Sequence, residues 1–159
     1  MDNFKLGMRK LAAHVCIISC EHKGQPFAMT VSSVVSLSDT PPSLAVCINT
    51  KTKMHEVLEK QATFAVNVLS STHIELSAVC ASPKRILERF TTGNWTTSKN
   101  APPLIEDAEA NFICEITKES ITYGTHKIII GNIKEILVSS EQAKPLIYLD
   151  REYLIPKQE

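Results

Sequence analysis

Gly24-Gln25-Pro26-Phe27-Ala28-Met29-Thr30-Val31-Ser32-Ser33-Val34-Val35-Ser36-Leu37-Ser38, followed by Asp39-Thr40-Pro41-Pro42, is the stretch on which the fold turns. It is the longest uncharged run in the chain, and it is too polar and too short for the 18 or more apolar residues of a membrane-spanning helix. Gly24-Gln25-Pro26 is a turn signal, and the β-branched run from Phe27 to Leu37 reads as a strand. Pro41 and Pro42 end that strand, because they remove backbone donors and bias Thr40 toward extended conformations. On a strand, the hydroxyls at 30, 32, 36 and 38 share one face, and 29, 31, 33, 35 and 37 share the other. A row of small hydroxyls beside backbone amides can hydrogen-bond the edge of a planar heterocycle without blocking its approach. A strand with one solvated face produces the same pattern.

Outward from this stretch the chain alternates further strands with short helices. Toward the N-terminus, Phe4, Met8, Leu11, Ala12 and Val15 recur at helical spacing and predict a short amphipathic helix, and β-branched content then rises from His14 to Cys20. Toward the C-terminus, Ser43 to Asn49 is a third strand and Thr52 is the N-cap of a helix. Thr63 to Leu69 is a short buried strand. Ser71 to Ala81 is a helix with Ile74, Ala78 and Val79 on one side, and Pro83 to Phe90 is a further helical turn or two. Thr91 to Pro103 reads as an exposed loop, and strands are expected in 110–118, 124–138 and 146–154. No repeat, low-complexity tract or linker interrupts the 159 residues, so one domain is expected over 1–159. The strands do not alternate regularly with helices, and no G-x-G-x-x-G, P-loop or G-x-S-x-G is present. The expected class is mainly β, an antiparallel barrel with peripheral helices.

Composition narrows the partners. Seventeen basic residues balance seventeen acidic ones, which argues against a general electrostatic grip on nucleic acid or anionic lipid and favours self-association. The N-terminus lacks the charged-then-apolar layout of a secretory signal. The five cysteines, at 16, 20, 47, 80 and 114, form no CxxC pair and read as buried, reduced thiols, so a cytoplasmic location without bound metal is expected.

Two more segments carry chemistry. Cys47-Ile48-Asn49-Thr50-Lys51-Thr52-Lys53-Met54 leaves a buried strand and enters a helix through hydroxyl, amide and ammonium donors. That arrangement suits a phosphate, and it equally suits a capped helix start with solvated lysines. Tyr123-Gly124-Thr125-His126-Lys127-Ile128-Ile129-Ile130-Gly131 opens an apolar strand with one histidine, which no Ser or Cys joins in a recognisable triad pattern.

Taken in order, these segments resemble the flavin reductase family with the FMN-binding split-barrel fold, the reductase components of two-component flavin monooxygenases. The resemblance runs through Phe4 to Val15, residues 24–33, 36–42, 46–49 and 64–69, Arg89-Phe90 with Trp95, Pro103-Leu104, His126 with Ile129-Ile130-Gly131, and Pro145-Leu146-Ile147-Tyr148. It implies a six-stranded antiparallel split barrel, a homodimer, and flavin (FMN or FAD) near the dimer interface. Thr30, Val31, Ser32 and Ser33 would lie along the isoalloxazine ring, with Ser36 nearby. Asn49, Thr50, Lys51 and Thr52 would surround the ribityl and phosphate portion. His126 matches the histidine beside the nicotinamide, and Tyr148 and Arg151 would sit near the same cleft. The implied activity is hydride transfer from NADH or NADPH to flavin, with reduced flavin passing to an oxygenase component. The alternatives are a flavoredoxin-like electron carrier that turns over little NAD(P)H, and a non-enzymatic split barrel without flavin that acts through its dimer surfaces. The chain departs from the family pattern at three places: His14, the Cys80-Ala81 pair and Thr125.

Overall fold

The computed structural model describes residues 2–157. Its elements in chain order are α1 (Asn3–Met8), β1 (Ala13–His14), β2 (Cys16–His22), β3 (Gln25–Val31), β4 (Val34–Asp39), β5 (Pro42–Asn49), α2 (Lys53–Leu58), β6 (Thr63–Val68), α3 (Ile74–Ala81), β7 (Trp95–Thr96), β8 (Leu104–Ile105), β9 (Ala110–Ile116), β10 (Ile121–Tyr123), β11 (His126–Val138), β12 (Ile147–Leu149) and β13 (Glu152–Leu154). The main sheet is antiparallel and runs β3-β2-β6-β9-β11-β5-β4, with β10 paired to β11 as an eighth strand. The class is mainly β, as expected, but the hydrogen-bonded path is open and is not a closed six-stranded ring.

The expected single strand from Phe27 to Leu37 is broken at Ser32–Ser33. β3 pairs with β2 on one end of the sheet and β4 pairs with β5 on the other. A register shift between Ser36 and Ser38 interrupts the alternation again. The hydroxyls at 30, 32, 36 and 38 therefore do not form one continuous row.

Alternate residues of six strands meet in one core. Cys16, Ile18 and Cys20 of β2, Val31 of β3, Leu44, Val46 and Ile48 of β5, Phe64 and Val66 of β6, Cys114 of β9 and Ile129 of β11 pack together, and Met54, Val57 and Leu58 of α2 join them. The period-2 pattern means that a single face of the curled sheet encloses this core. Gly131 sits where the enclosure is tightest, since a Cβ there would lie 2.8 Å from both the Phe64 ring and the Cys114 Cβ.

A second apolar cluster covers the outer face of β2 and β3. Val15, Ile17, Ala28, Leu76, Cys80, Ile105 and Leu146 pack with Trp95 and Tyr153. β2 is thus buried on both faces from Cys16 to Cys20, a run in which Ser19 is the one polar residue. Asn67, fully buried, ties this layer together. Its Nδ2 donates to Ile17 O and Ser19 Oγ, each at 3.0 Å. Its Oδ1 accepts from Ile105 N at 3.0 Å and from Asn111 Nδ2 at 2.8 Å. With Ser19 Oγ donating to Pro103 O, the 95–108 segment is seated on the sheet instead of hanging free.

Several local expectations change. The N-terminal helix stops at Met8, and Phe4, Met8 and Leu11 are left exposed by the described residues. Residues 71–81 split into a 3-10 turn at Ser71–His73 and α3, which buries Leu76, Ser77, Val79 and Cys80 and leaves Ile74 exposed. The 91–103 loop carries β7, which pairs with β8. Cys47 is exposed, unlike the other four thiols. No helix among the described residues is long and apolar enough to cross a membrane.

Two predictions follow from this packing. Gly131→Ala forces Phe64 or the backbone to move, and should cost about 1–3 kcal/mol in a denaturant melt, the usual penalty for overpacking; an unchanged midpoint would show that Phe64 has room. Burial pushes the thiols of Cys16, Cys20 and Cys114 up to about 12 and that of Cys80 up to about 11. Raised thiols stay protonated as pH climbs, so a chromogenic disulfide should titrate at most one thiol per native chain even at about pH 9 and all five after denaturation. Cys47→Ser should abolish the native reaction.

Candidate functional site

The site begins with the way α3 lies across β3. Thr30 Oγ1 donates to Ser77 O on α3 at 2.7 Å, and Ser77 Oγ shares a 2.8 Å hydrogen bond with Tyr153 Oη. Tyr153 stands edge-on to Tyr148, with ring centroids 5.3 Å apart, across the β12–β13 hairpin. Between these groups is a cavity of about 210 Å³, lined by Thr30, Val31, Ser32, Ser77, Tyr148 and Tyr153 among others. Its walls carry hydroxyl and aromatic groups and no charge, which suits a neutral planar ring.

A second cavity, of about 430 Å³, adjoins the first through Ala81, which lines both. Phe27, Met29, Met54 and Ile86 supply its apolar wall, and Lys51, Lys53 and Arg89 supply positive charge. Arg89 is held by two carbonyls, with Nη1 donating to Ala28 O at 2.7 Å and Nη2 to Ser82 O at 3.1 Å. The loop carrying it is stapled by Trp95, whose Nε1 donates to Arg89 O at 2.9 Å and Thr92 O at 3.0 Å, and whose ring packs on Phe90. The 430 Å³ cavity opens in turn onto a cleft of about 550 Å³ through the shared residues Lys51, Thr52 and Lys53. A neutral aromatic chamber thus leads into a cationic one.

The turn into α2 is built as its sequence suggests. His55 N–H donates to Thr52 Oγ1 at 3.2 Å, which makes Thr52 the N-cap. Thr52 Oγ1 donates to Asn49 O at 2.8 Å, and Lys51 N–H donates to Asn49 Oδ1 at 2.9 Å. Thr50 reaches the other strand, its N–H and Oγ1 donating to Thr125 O at 3.0 and 3.2 Å. In the β5–β11 ladder His126 stands directly opposite Asn49, exposed, with its Nδ1 2.9 Å from Thr125 Oγ1. Two segments that lie far apart in the chain are therefore neighbours.

The fold groups the sequence-predicted residues unevenly. Thr30, Val31, Ser32 and Tyr148 line the 210 Å³ chamber, and Thr50, Lys51 and Thr52 line the cleft. Asn49 and His126 pair beside Thr50. Ser33 and Ser36 line neither chamber, because the break after Ser32 carries β4 to the opposite sheet edge, where Ser33 Oγ donates to Cys47 O at 2.9 Å. Arg151 also lines neither. It occupies, with Asp150, the left-handed turn between β12 and β13 (φ 72° and 48°).

Sequence reasoning did not assign roles to Phe27, Met29, Ser77, Arg89 or Tyr153. The signal available was Glu88-Arg89-Phe90, an acid-Arg-Phe sequence in which the partners of Arg89, Ala28 on β3 and Ser82 just after α3, lie 61 and 7 residues away. Among the described residues, no group of three or more His, Cys, Asp or Glu side chains comes together to hold a metal ion.

Comparison with known proteins gives the family of the chain. The flavin reductase like domain model matches residues 8–155. The chain is 36% identical over 154 residues to the reductase component of an FADH(2)-dependent resorcinol hydroxylase from Rhizobium sp. strain MTP-10005, covering 96% of this chain and 85% of that one. It is 31% identical over 153 residues to the FMN reductase (NADH) RutF of Acinetobacter baylyi, covering 96% and 80%. The solved structure of the flavin reductase PheA2 in its native state superposes with a TM-score of 0.87 at 28% identity, over 99% of this chain and 100% of that one. The 8–155 match takes in every segment that lines the two chambers, and the chain belongs to the flavin reductase like domain family.

Proposed function

We propose that this protein is an NAD(P)H:flavin oxidoreductase that reduces FMN or FAD and supplies the reduced flavin to an oxygenase component. The carrying observation is the pair of joined chambers, one neutral and aromatic and the other cationic, which matches a molecule with a planar ring at one end and a phosphate at the other. The names of its relatives, an NADH-dependent FMN reductase and the reductase component of a hydroxylase, support the same reading.

The residues present fit a flavin nucleotide. Thr30, Val31 and Ser32 would face the ring, with backbone amides and the Ser32 hydroxyl reaching its polar edge and Tyr148 forming a wall. Asn49, Thr50, Lys51 and Thr52 would surround the ribityl and phosphate portion, and Ser33, Ser36 and Arg151 would serve only at the rim. A bound flavin supplies the hydride-accepting chemistry. This chain supplies orientation: the Thr30–Ser77–Tyr153 hydrogen bonds keep the chamber's shape, and Tyr148 and Tyr153 wall one side of it. His126, exposed and adjustable at the strand start, would contact the nicotinamide of NADH or NADPH.

The fold is proposed to act as a six-stranded split barrel over a single domain, 1–159, with β3 and β4 as the two halves of one bent strand. A homodimer is proposed because α1, the segment after it and β4 leave Phe4, Met8, Leu11, Val35 and Leu37 exposed, an apolar surface that a second copy would cover. The location is proposed to be cytoplasmic, where both nucleotides are available.

Anaerobic mixing with NADH, followed by flavin absorbance with FMN and then FAD in excess, tests the reading. Bleaching that accelerates with free flavin is the expected result. A bound flavin that resists NADH and accepts electrons from a chemical reductant would instead identify an electron carrier. His126→Ala should lower NADH turnover by about tenfold, on the order of 1.4 kcal/mol in the barrier, and leave flavin affinity unchanged. Ser32→Phe should fill part of the 210 Å³ chamber and weaken flavin binding by at least about tenfold; an unchanged dissociation constant would place the ring elsewhere.

A further inference from the structure

The chamber of about 210 Å³ has one wall unlike the others. On one side Thr30 and Val31 lie on β3, Ser32 follows it, and Ser77 belongs to α3, which packs on the sheet through Leu76 and Cys80. On the other side Tyr148 and Tyr153 come from the β12–β13 hairpin. No residue from Ile147 to Ile155 is buried, whereas Leu146, just before them, is fully so. The wall that closes the chamber is therefore the least buried part of it, and segments of that kind open locally at low cost.

The hairpin has a firm foot and a light hold elsewhere. At the foot, Val15 N–H donates to Leu146 O at 3.0 Å and Leu146 N–H donates to Leu69 O at 3.3 Å. Beyond it the hairpin belongs to a small sheet of its own, in which the two-residue β1 pairs with β12, Ala13 opposite Tyr148 and His14 opposite Ile147. β13 ends that sheet with no strand on its outer side. At the tip, Asp150 N–H donates to Arg9 O at 3.0 Å, and the Asp150 carboxylate lies 3.4 Å from Lys10 Nζ in an exposed pair of the kind that contributes little. Asp150 and Arg151 both hold the left-handed backbone that favours glycine. Among the described residues, one side-chain hydrogen bond fastens β13 to the rest of the molecule, the 2.8 Å bond between Tyr153 Oη and Ser77 Oγ.

We propose that the β12–β13 hairpin is a gate on the ring chamber, latched by the Tyr153–Ser77 hydrogen bond, and that its opening sets how fast flavin enters and leaves. The inference rests on the flavin reading above. β13 swings outward about the β1–β12 ladder and carries Tyr153 off Ser77, while Thr30 keeps its 2.7 Å bond to Ser77 O and the opposite wall stays in place. A protein that hands reduced flavin to another component has to release it at each turnover. A single neutral hydrogen bond suits that duty, being weak enough to break at each passage and directional enough to restore one closed shape.

Stopped-flow mixing of the full chain with FMN, without NADH and followed by flavin fluorescence, reads both rates. Tyr153→Phe removes the hydroxyl and keeps the ring. It should raise the association and dissociation rate constants together, each by about three- to tenfold, with a much smaller change in their ratio. Ser77→Ala removes the same bond from the other side and should give the same rates, with no further gain in the double variant. Faster dissociation at an unchanged association rate would make Tyr153 a contact to the ring and overturn the gate. Rates unmoved in both variants would overturn it too, leaving the flavin site standing. Should the variants not fold, hydrogen exchange on the wild-type protein decides. The hydrogen-bonded amides of β12 and β13 should exchange faster than those of β3 and α3, and equal protection would overturn a hairpin that opens by itself. Wild-type protein that binds no FMN would overturn the flavin reading and the gate with it.

Discussion

Two residues, Ser32 and Ser33, join the two ends of a seven-strand pairing path. From Val31 to Val34 the chain can span at most about 11 Å, roughly two strand spacings. The sheet therefore has to curl until β3 and β4 nearly meet, although no ladder joins them. Everything enclosed by that curl follows from this constraint. The alternate residues of β2, β5 and β6 converge on one core, α2 contributes Met54, Val57 and Leu58 to it, and Phe64 presses on the one strand position that has no side chain, Gly131.

The same constraint accounts for where the chambers lie. An unpaired step in the sheet leaves a gap, and the gap is flanked by whatever packs outside β3. Here that is α3, seated by Thr30 on Ser77, and the β12–β13 hairpin, seated by Tyr153 on Ser77. The 95–108 segment is held by the buried Asn67 hub, an all-satisfied amide whose removal would orphan partners on three segments. Through Trp95 that hub also steadies the loop bearing Arg89. Buried polar bonds on the outside of the curled sheet thus shape a site whose floor is made by the sheet itself.

Much of this was legible in the chain. The prolines after Asp39, the N-cap at Thr52, the run from Thr63 to Val68 and the strands in 110–118 and 124–138 appear close to where their residue types placed them, because turn chemistry and period-2 patterning are local, whereas the strand expected over 146–154 is a hairpin that turns at Asp150 and Arg151. The errors share a cause. Phe4, Met8 and Leu11 have helical spacing but no partner within the chain, so the helix they suggest ends after two turns. Ile74 fits a helical stripe, yet the side of α3 that meets β3 is the one bearing Leu76, Ser77 and Cys80. The hydroxyl row was misphased because periodicity cannot register a break between two serines that are individually good strand or turn residues.

Composition, turn residues and the ordered set of short motifs determined the class, the family and most of the candidate positions, because each depends on neighbours within a few residues. Tertiary structure alone decided which of those positions lie together. It put His126 opposite Asn49 across 77 residues, drew Tyr148 to Thr30 and Ser32, and left Ser33, Ser36 and Arg151 aside. It also brought Arg89 to the same chamber as Lys51, whose lining includes no Asp or Glu. Charge balance within a cavity depends on packing at long sequence separation, so a chain with as many acids as bases can still enclose a chamber with only cations on its walls.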